Sequence, residues 1–263
     1  FIKTVFIAYM VMIGLLFVLQ RSLLYPVRAV STTPAEAGLP DMVEGVVTTP
    51  DNYRLRYWFA PPKESGKPVV VLFYGNASCM SMRADTARAL LDKGYGVMLA
   101  SYRGYDGNIG SPSEQGLYRD ARAQLDYLKG QGYPLVLIGQ SLGSGIAVQM
   151  ATEYQIRALV LETPYTSMVD AAASHYSFVP VRWLLLDRYN SISKIAQVRA
   201  PVFIIQGTAD EVIPNEQGKR LFEAANEPKE FVWVNGAFHN NFYQYGDWSK
   251  TLAFIEKYGA AGE

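Results

Sequence analysis

The stretch on which the reading of this chain turns is Leu135-Val136-Leu137-Ile138-Gly139-Gln140-Ser141-Leu142-Gly143-Ser144-Gly145. An unbroken apolar run, typical of a strand buried on both faces, feeds straight into Gly-x-Ser-x-Gly. A helical pattern follows over residues 142–154, with Ile146, Met150 and Ala151 on one face. The pentad alone is a weak signal; its position between a strand and a helix gives it weight. A serine at such an elbow sits on a strained backbone with its hydroxyl exposed, and the flanking glycines let neighbouring backbones approach closely. Ser141 is therefore expected to be a nucleophile. The Leu142 N–H opens the helix, where unpaired amides and the helix dipole can receive a developing oxyanion.

A serine hydroxyl needs a base, and the base needs an acid to orient it. With an elbow nucleophile, acid and base follow in that order on loops after later strands. Residues 202–205 read as a strand leading into Gly207-Thr208-Ala209-Asp210, and residues 231–234 as a strand before the loop that holds His239. The chain has only two histidines, His175 and His239. The order therefore assigns Asp210 as acid and His239 as base. Taken singly, Asp210 would read as a turn aspartate and His239 as a structural histidine. His175 reads as structural or substrate-lining, and Asp187 and Asp106 are reserve acids. A second oxyanion donor is expected in the loop Tyr74-Gly75-Asn76-Ala77-Ser78, with the Asn76 amide first and Ala77 next. Without the elbow this loop would read as a polar turn.

Working outward, strands are expected over 43–49, 54–60, 69–74, 96–101, 135–138, 158–161, 202–205 and 231–234. Helices are expected over 81–93, 114–129, 142–154, 216–225 and 248–257. This alternation predicts an α/β fold, a mostly parallel sheet flanked by helices on both faces. The stretch 163–200 is too long for an ordinary loop. It holds Tyr165, Tyr176, Phe178, Trp183, Leu184, Leu185 and Leu186 and reads as a helical insertion over the sheet edge. Tyr74, Tyr165 and Trp183 are candidate substrate-binding residues.

Before the sheet, residues 4–20 carry no charge, and 5–19 are apolar but for Tyr9 and Gly14. That length sits at the short edge of the roughly 17–25 residues that span a bilayer. The opening residue is Phe1, so the apolar span is expected to extend upstream. Lys3 flanks one end, and Arg21 and Arg28 the other, which leaves the orientation undetermined. Ala29-Val30-Ser31 is a poor and late version of a signal-peptide cleavage site. The segment thus reads as an uncleaved single-pass membrane anchor over residues 1–24, with a buried soluble helix as the alternative. A linker is expected over 25–42, centred on the proline- and glycine-bearing stretch 31–41, and the folded domain over 43–263.

Composition removes several classes. With 24 basic and 24 acidic residues the formal net charge is zero, which argues against a nucleic-acid partner. Charged residues make up 18% and hydrophobic ones 49%, so the chain can build a core. One cysteine, Cys79, excludes an internal disulfide, and the scarcity of Cys and His leaves no structural zinc site.

Several longer strings sharpen the reading. They are Gln20-Arg21-Ser22-Leu23-Leu24-Tyr25-Pro26, Ser101-Tyr102-Arg103-Gly104-Tyr105, and Gly110-Ser111-Pro112-Ser113-Glu114-Gln115-Gly116-Leu117-Tyr118. The elbow itself, Glu162-Thr163-Pro164-Tyr165-Thr166-Ser167, and Gly207-Thr208-Ala209-Asp210-Glu211-Val212-Ile213-Pro214 complete the set. Over nearly its whole length the chain resembles the membrane-anchored α/β-hydrolases of the depalmitoylase-like branch. The resemblance implies the α/β-hydrolase fold, and the triad roles for Ser141, Asp210 and His239. The triad chemistry is expected to act on an acyl ester or thioester and needs no metal or organic cofactor, and the apolar segment beside an apolar insertion suggests that the substrate is lipid-like or membrane-associated. There are departures: Tyr74 stands where that family usually has histidine, Ser101 where it often has aspartate, and Asp106 where it often has glycine.

A serine nucleophile argues against dehalogenase and epoxide-hydrolase chemistry, which use a carboxylate on this fold. A peptidase is a competing expectation and would need a charged handle such as Asp187 or Arg188 for a peptide terminus. A non-catalytic membrane scaffold is a third, disfavoured because all three triad members are present. The expected partners are the acyl substrate and the lipid membrane, with a second copy of the chain as a further candidate.

Overall fold

The computed structural model describes residues 1–27, 31–245 and 248–259. Arg28 of the basic flank, the Ala29-Val30 part of the cleavage-like string, and residues 260–263 of the expected domain lie outside the described residues.

The chain opens with α1 (Ile2–Leu24). The hairpin β1 (Val43–Thr48) and β2 (Arg54–Ala60) follows, then β3 (Val69–Phe73), α2 (Ala84–Asp92), β4 (Gly96–Ala100) and α3 (Glu114–Gly130). Next come β5 (Leu135–Gln140), α4 (Leu142–Glu153), β6 (Ala158–Glu162), α5 (Met168–His175) and α6 (Val181–Leu184). The chain ends with β7 (Val202–Gly207), α7 (Asn215–Ala224), β8 (Lys229–Val234) and α8 (Trp248–Gly259). One eight-stranded sheet runs in the order β1-β2-β4-β3-β5-β6-β7-β8. From β4 to β8 all pairings are parallel, and β1 and β2 add antiparallel at one edge. This is the α/β-hydrolase fold expected from the sequence.

The apolar runs explain the sheet. Every residue of β3, β4, β5, β6 and β7 is buried, as a strand covered by helices on both faces requires. The edges differ. β1 is largely exposed, and β8 begins two residues earlier than its apolar pattern, at Lys229 and Glu230, on the outer edge of the sheet. The helix expected from residue 81 begins instead as a 3₁₀ turn, Met80–Arg83, and becomes α-helical at Ala84.

Chain order decides where the site forms. After β3 the chain crosses to β4 on one side; β5 then lies on the other side of β3. Such a reversal opens a crevice at the carboxyl ends of the strands. Because β3, β5, β7 and β8 run parallel, the loops leaving all four emerge at that same edge.

Outside the sheet, the described residues of the expected linker pack against the domain: Tyr25, Leu39 and Met42 are buried, and the Tyr25 and Tyr189 hydroxyls meet at 2.9 Å. The first helix is apolar all round by sequence, yet its two sides differ in the fold. Ile13, Leu16, Gln20 and Leu24, spaced at helical intervals, face the domain, while Val11, Leu15, Val18 and Leu19 are exposed. Of the whole helix only Ile13 is buried. Among the described residues, α1 is the one helix long and apolar enough to cross a membrane.

Candidate active site

Ser141 stands between β5 and α4 with φ +49° and ψ −116°, a conformation that costs a non-glycine residue on the order of 1–3 kcal/mol. The surroundings hold it there. Its N–H donates to Glu162 O at 2.9 Å, and its carbonyl accepts from Ser144 N at 2.8 Å and Ser144 Oγ at 2.6 Å. The two glycines of the pentad are required by contact: a Cβ on Gly139 would lie 2.5 Å from Gly143 O, and one on Gly143 would lie 2.1 Å from Phe73 O. The elbow is thus wedged against β3 as well as against its own helix.

His239 Nε2 lies 3.0 Å from Ser141 Oγ. Its Nδ1 lies 2.9 Å from Asp210 Oδ2 and 3.0 Å from Oδ1. An ionised carboxylate can only accept, so Nδ1 donates to Asp210 and Nε2 is left to accept the serine proton. The Asp210 carboxylate is sealed from solvent. It is fixed by the Val212 and Ile213 amides at 2.9 and 2.8 Å, and by Gln206 Nε2 at 2.8 Å. The base loop is fixed in turn: Ala237 O accepts from Ala209 N at 3.0 Å, and the His239 N–H donates to Glu211 Oε2 at 3.3 Å. Gly207 permits this docking, because a Cβ there would stand 2.3 Å from Ala237 O. The reserve acids are engaged elsewhere: Asp187 holds Arg21 at 2.9 Å, and Asp106 accepts from the Tyr74 hydroxyl at 2.6 Å.

On the opposite side of the serine is the loop after β3. A Cβ on Gly75 would lie 3.3 Å from Ser141 Cβ, so this loop runs beside the elbow. Asn76 Oδ1 accepts from Tyr105 Oη at 2.9 Å and from the Ala77 amide at 3.1 Å, while its Nδ2 donates to Leu24 O at 2.5 Å. The Ala77 amide is therefore committed, and Ala77 itself has φ +53°. Asn76 lies in this loop beside the elbow, and Leu142 opens α4 directly after the serine.

Tyr74 is a correction. It is wholly buried behind this loop, packed at a tilt against Tyr102 and Tyr105 with centroids 4.5 and 5.8 Å away, and it lines neither cavity at Ser141. Instead, the three departures from the resembled family meet in one network. Tyr74 and Ser101 both donate to Asp106 Oδ2, at 2.6 and 2.5 Å, and Asp106 Oδ1 accepts from Met80 N at 3.0 Å. Asp106 has φ +52°, which accounts for the glycine often found there. Burial raises the Asp106 carboxyl above the usual aspartate range, against the pull of these donors.

Residues the sequence did not flag complete the floor. Arg83 is buried with Glu162 at 2.9 Å and reaches Gln140 Oε1 at 3.1 Å, next to the nucleophile. Tyr243 Oη joins both Arg83 and Glu162. The burial of Glu162 raises its carboxyl above the usual glutamate range, which Arg83 offsets. Neither Arg83 nor Tyr243 belongs to a motif, so only the fold could reveal them.

Two cavities meet at Ser141. The more polar one, of about 730 Å³, is lined by Asn76, Arg83, Gln140, Asn241, Gln244 and His239 together with apolar groups such as Met82, Ala89 and Trp248. An apolar one of about 510 Å³ lies between the last turns of α1 and the insertion. Leu16, Phe17 and Leu23 line it on one side, and Met168, Ala172 and Leu185 on the other. Both include Ser141 and Asn76. Tyr165 lines the apolar cavity, its hydroxyl donating to Leu142 O at 3.2 Å. His175 also lines it, its Nε2 lying 2.7 Å from Val212 O. Trp183 does not: it is 88% exposed on the outer face of α6, because the four-residue helix turns Leu184 inward and the indole outward.

Comparison with known proteins agrees with this architecture. The family described as serine aminopeptidase, S33, matches residues 64–190. An uncharacterised protein of Mycobacterium tuberculosis is 44% identical over 227 residues, covering 84% of this chain and 81% of that protein. The α/β-hydrolase domain-containing protein 17B of Xenopus laevis is 30% identical over 218 residues, covering 81% of this chain and 74% of that protein. An esterase of Pyrococcus furiosus superposes with a TM-score of 0.73 at 21% identity, over 90% of this chain and 99% of its own.

Proposed function

The chain belongs to the α/β-hydrolase superfamily, and on that premise we propose that it is a membrane-anchored serine hydrolase of acyl esters or thioesters, akin to the depalmitoylase-like branch. The observation that carries this reading is the continuous hydrogen-bond chain from Ser141 Oγ through His239 to the sealed Asp210 carboxylate. In the proposed cycle Ser141 Oγ attacks the acyl carbonyl while His239 Nε2 takes its proton. Asp210 holds the imidazole tautomer and stabilises the imidazolium. The Leu142 and Asn76 amides receive the oxyanion, each worth about 2.7–4 kcal/mol in the transition state. His239 then protonates the leaving alcohol or thiol, and water repeats the sequence in reverse to release the acid.

The apolar lining of one cavity supports an acyl chain over a peptide. The peptidase reading needs a free charge for a chain terminus: of its two candidates, Asp187 is occupied by Arg21 and by the Glu114 amide at 3.1 Å, while Arg188 is exposed and donates to Arg182 O. The membrane reading draws on α1, whose apolar side chains are largely exposed.

The test is active-site labelling of the full-length protein with a fluorophosphonate, followed by a panel of esters, thioesters and a peptide amide. Labelling that disappears in Ser141→Ala, with ester or thioester turnover above amide turnover, is the expected outcome. Absence of labelling in the wild type would return the protein to the scaffold reading.

A further inference from the structure

The apolar cavity is not a property of the hydrolase domain alone. One of its walls is the C-terminal part of α1: Leu16, Phe17, Gln20, Leu23 and Leu24. Leu16 to Leu24 covers about 12 Å of helix at 1.5 Å per residue. The wall is latched to the domain at several points. Gln20 Oε1 accepts from Leu186 N at 2.8 Å, Arg21 pairs with the buried Asp187, and Leu24 O accepts from Asn76 of the loop beside the nucleophile. The insertion follows the helix further, since Tyr9 Oη donates to Phe178 O at 3.0 Å. Tyr9 lies about 22 Å along the helix from Leu24, well inside the uncharged span of residues 4–20. Any bilayer that surrounds that span also surrounds this edge of the insertion. Its exposed large hydrophobic side chains there are Tyr176, Phe178, Trp183 and Leu186, all more than half exposed, with His175 and Arg182 exposed among them. Aromatic side chains of this kind favour the boundary between lipid and water.

From this we infer that α1 is a wall of the acyl-binding site as well as an anchor, and that the acyl chain of a bilayer-borne ester or thioester enters between α1 and the insertion from the lipid side. The inference rests on the serine-hydrolase reading. The chain lies in the apolar cavity, its carbonyl reaches Ser141, and its polar leaving group occupies the second cavity. Specificity for chain length is then set by α1 residues, Leu16 foremost.

The test uses full-length protein in phosphatidylcholine vesicles, with p-nitrophenyl butyrate and dodecanoate as substrates and fluorophosphonate labelling as the control on the nucleophile. Leu16→Trp fills the cavity. Displacing about two methylenes, at about fourfold each, lowers the dodecanoate-to-butyrate ratio of kcat/KM roughly fifteenfold. Leu16→Ala moves the preferred chain to longer lengths, and Leu15→Trp, on the exposed side of the helix, keeps the wild-type ratio. Trp183→Glu lowers hydrolysis of vesicle-borne dodecanoate several-fold relative to the same ester in detergent micelles. Wild-type chain-length profiles in both Leu16 variants, with Ser141 still labelled, overturn the wall and leave the hydrolase reading standing. Equal losses in vesicles and micelles for Trp183→Glu overturn entry from the bilayer. A wild type that neither labels nor hydrolyses either ester removes the hydrolase reading, and this inference with it.

Discussion

The two cavities that meet at Ser141 are built from different parts of the molecule. The polar one is made by loops leaving the carboxyl ends of parallel strands, together with the Arg83–Glu162 pair beneath them. Its His239 and the Asp210 behind it are held by hydrogen bonds from the strand-end loops. The apolar one is made mainly by segments outside the sheet, α1 and the insertion, closed by Val212 and Ile213 of the loop after β7. Its latches are few and mostly lie at the end of one helix. On the proposed reading, the sheet-borne loops carry the bond chemistry and the attachments carry recognition.

Substitutions on the two sides should separate these roles. Asp210→Asn tests the proposed bond chemistry. It leaves the shape intact but favours the wrong imidazole tautomer, so kcat should fall by on the order of 10⁴ while the substrate-chain preference is unchanged. A kcat within tenfold of wild type would remove Asp210 from the triad.

Deletion of residues 1–24 breaks the comparison at the point where the sides touch. From sequence alone this truncation would spare a short soluble ester, because the triad lies wholly after Pro68. The Asn76–Leu24 contact alters that expectation. Butyrate kcat should fall roughly tenfold, since one oxyanion donor is displaced but not removed. Dodecanoate should fall a further roughly fifteenfold, at about fourfold per methylene no longer buried. Unchanged butyrate kinetics in the truncated protein would show that the oxyanion loop holds itself without α1.

Gly207→Ala tests how tightly the acid and base loops are joined. The added Cβ meets Ala237 O at 2.3 Å, so stability should drop by about 1–3 kcal/mol, read as a lower thermal midpoint. Trp183→Ala should be the mildest change, within about 0.5 kcal/mol in detergent solution, because the indole is exposed and fills no cavity. A large loss there would mean that the insertion depends on Trp183 for its packing.

Much of the polar side is legible in the sequence. The elbow is a local feature, and the order Ser141, Asp210, His239 follows from strand-end loops that can be counted along the chain. The oxyanion loop is legible too, but the burial of Tyr74 is not, because a tyrosine beside a glycine loop looks the same facing in or out. The apolar side is only half legible. The insertion announces itself by length and composition, but Trp183 cannot be assigned a direction within so short a helix. The α1 segment reads as apolar on every side, so nothing in its pattern tells the docked Leu16 from the exposed Leu15.

What the sequence determined by itself is what depends on local order: buried parallel strands, a strained serine between strand and helix, a histidine with almost no competitor, and an apolar segment long enough for a bilayer. What only the tertiary structure decided depends on residues far apart in the chain. The meeting of Tyr74, Ser101 and Asp106, the ion pair of Arg83 with Glu162, and the seat of α1 against residues 165–187 are contacts of this kind. They are set by which faces remain unburied once the sheet has formed, and hydrophobic burial is non-directional, so a one-dimensional pattern does not encode its partner.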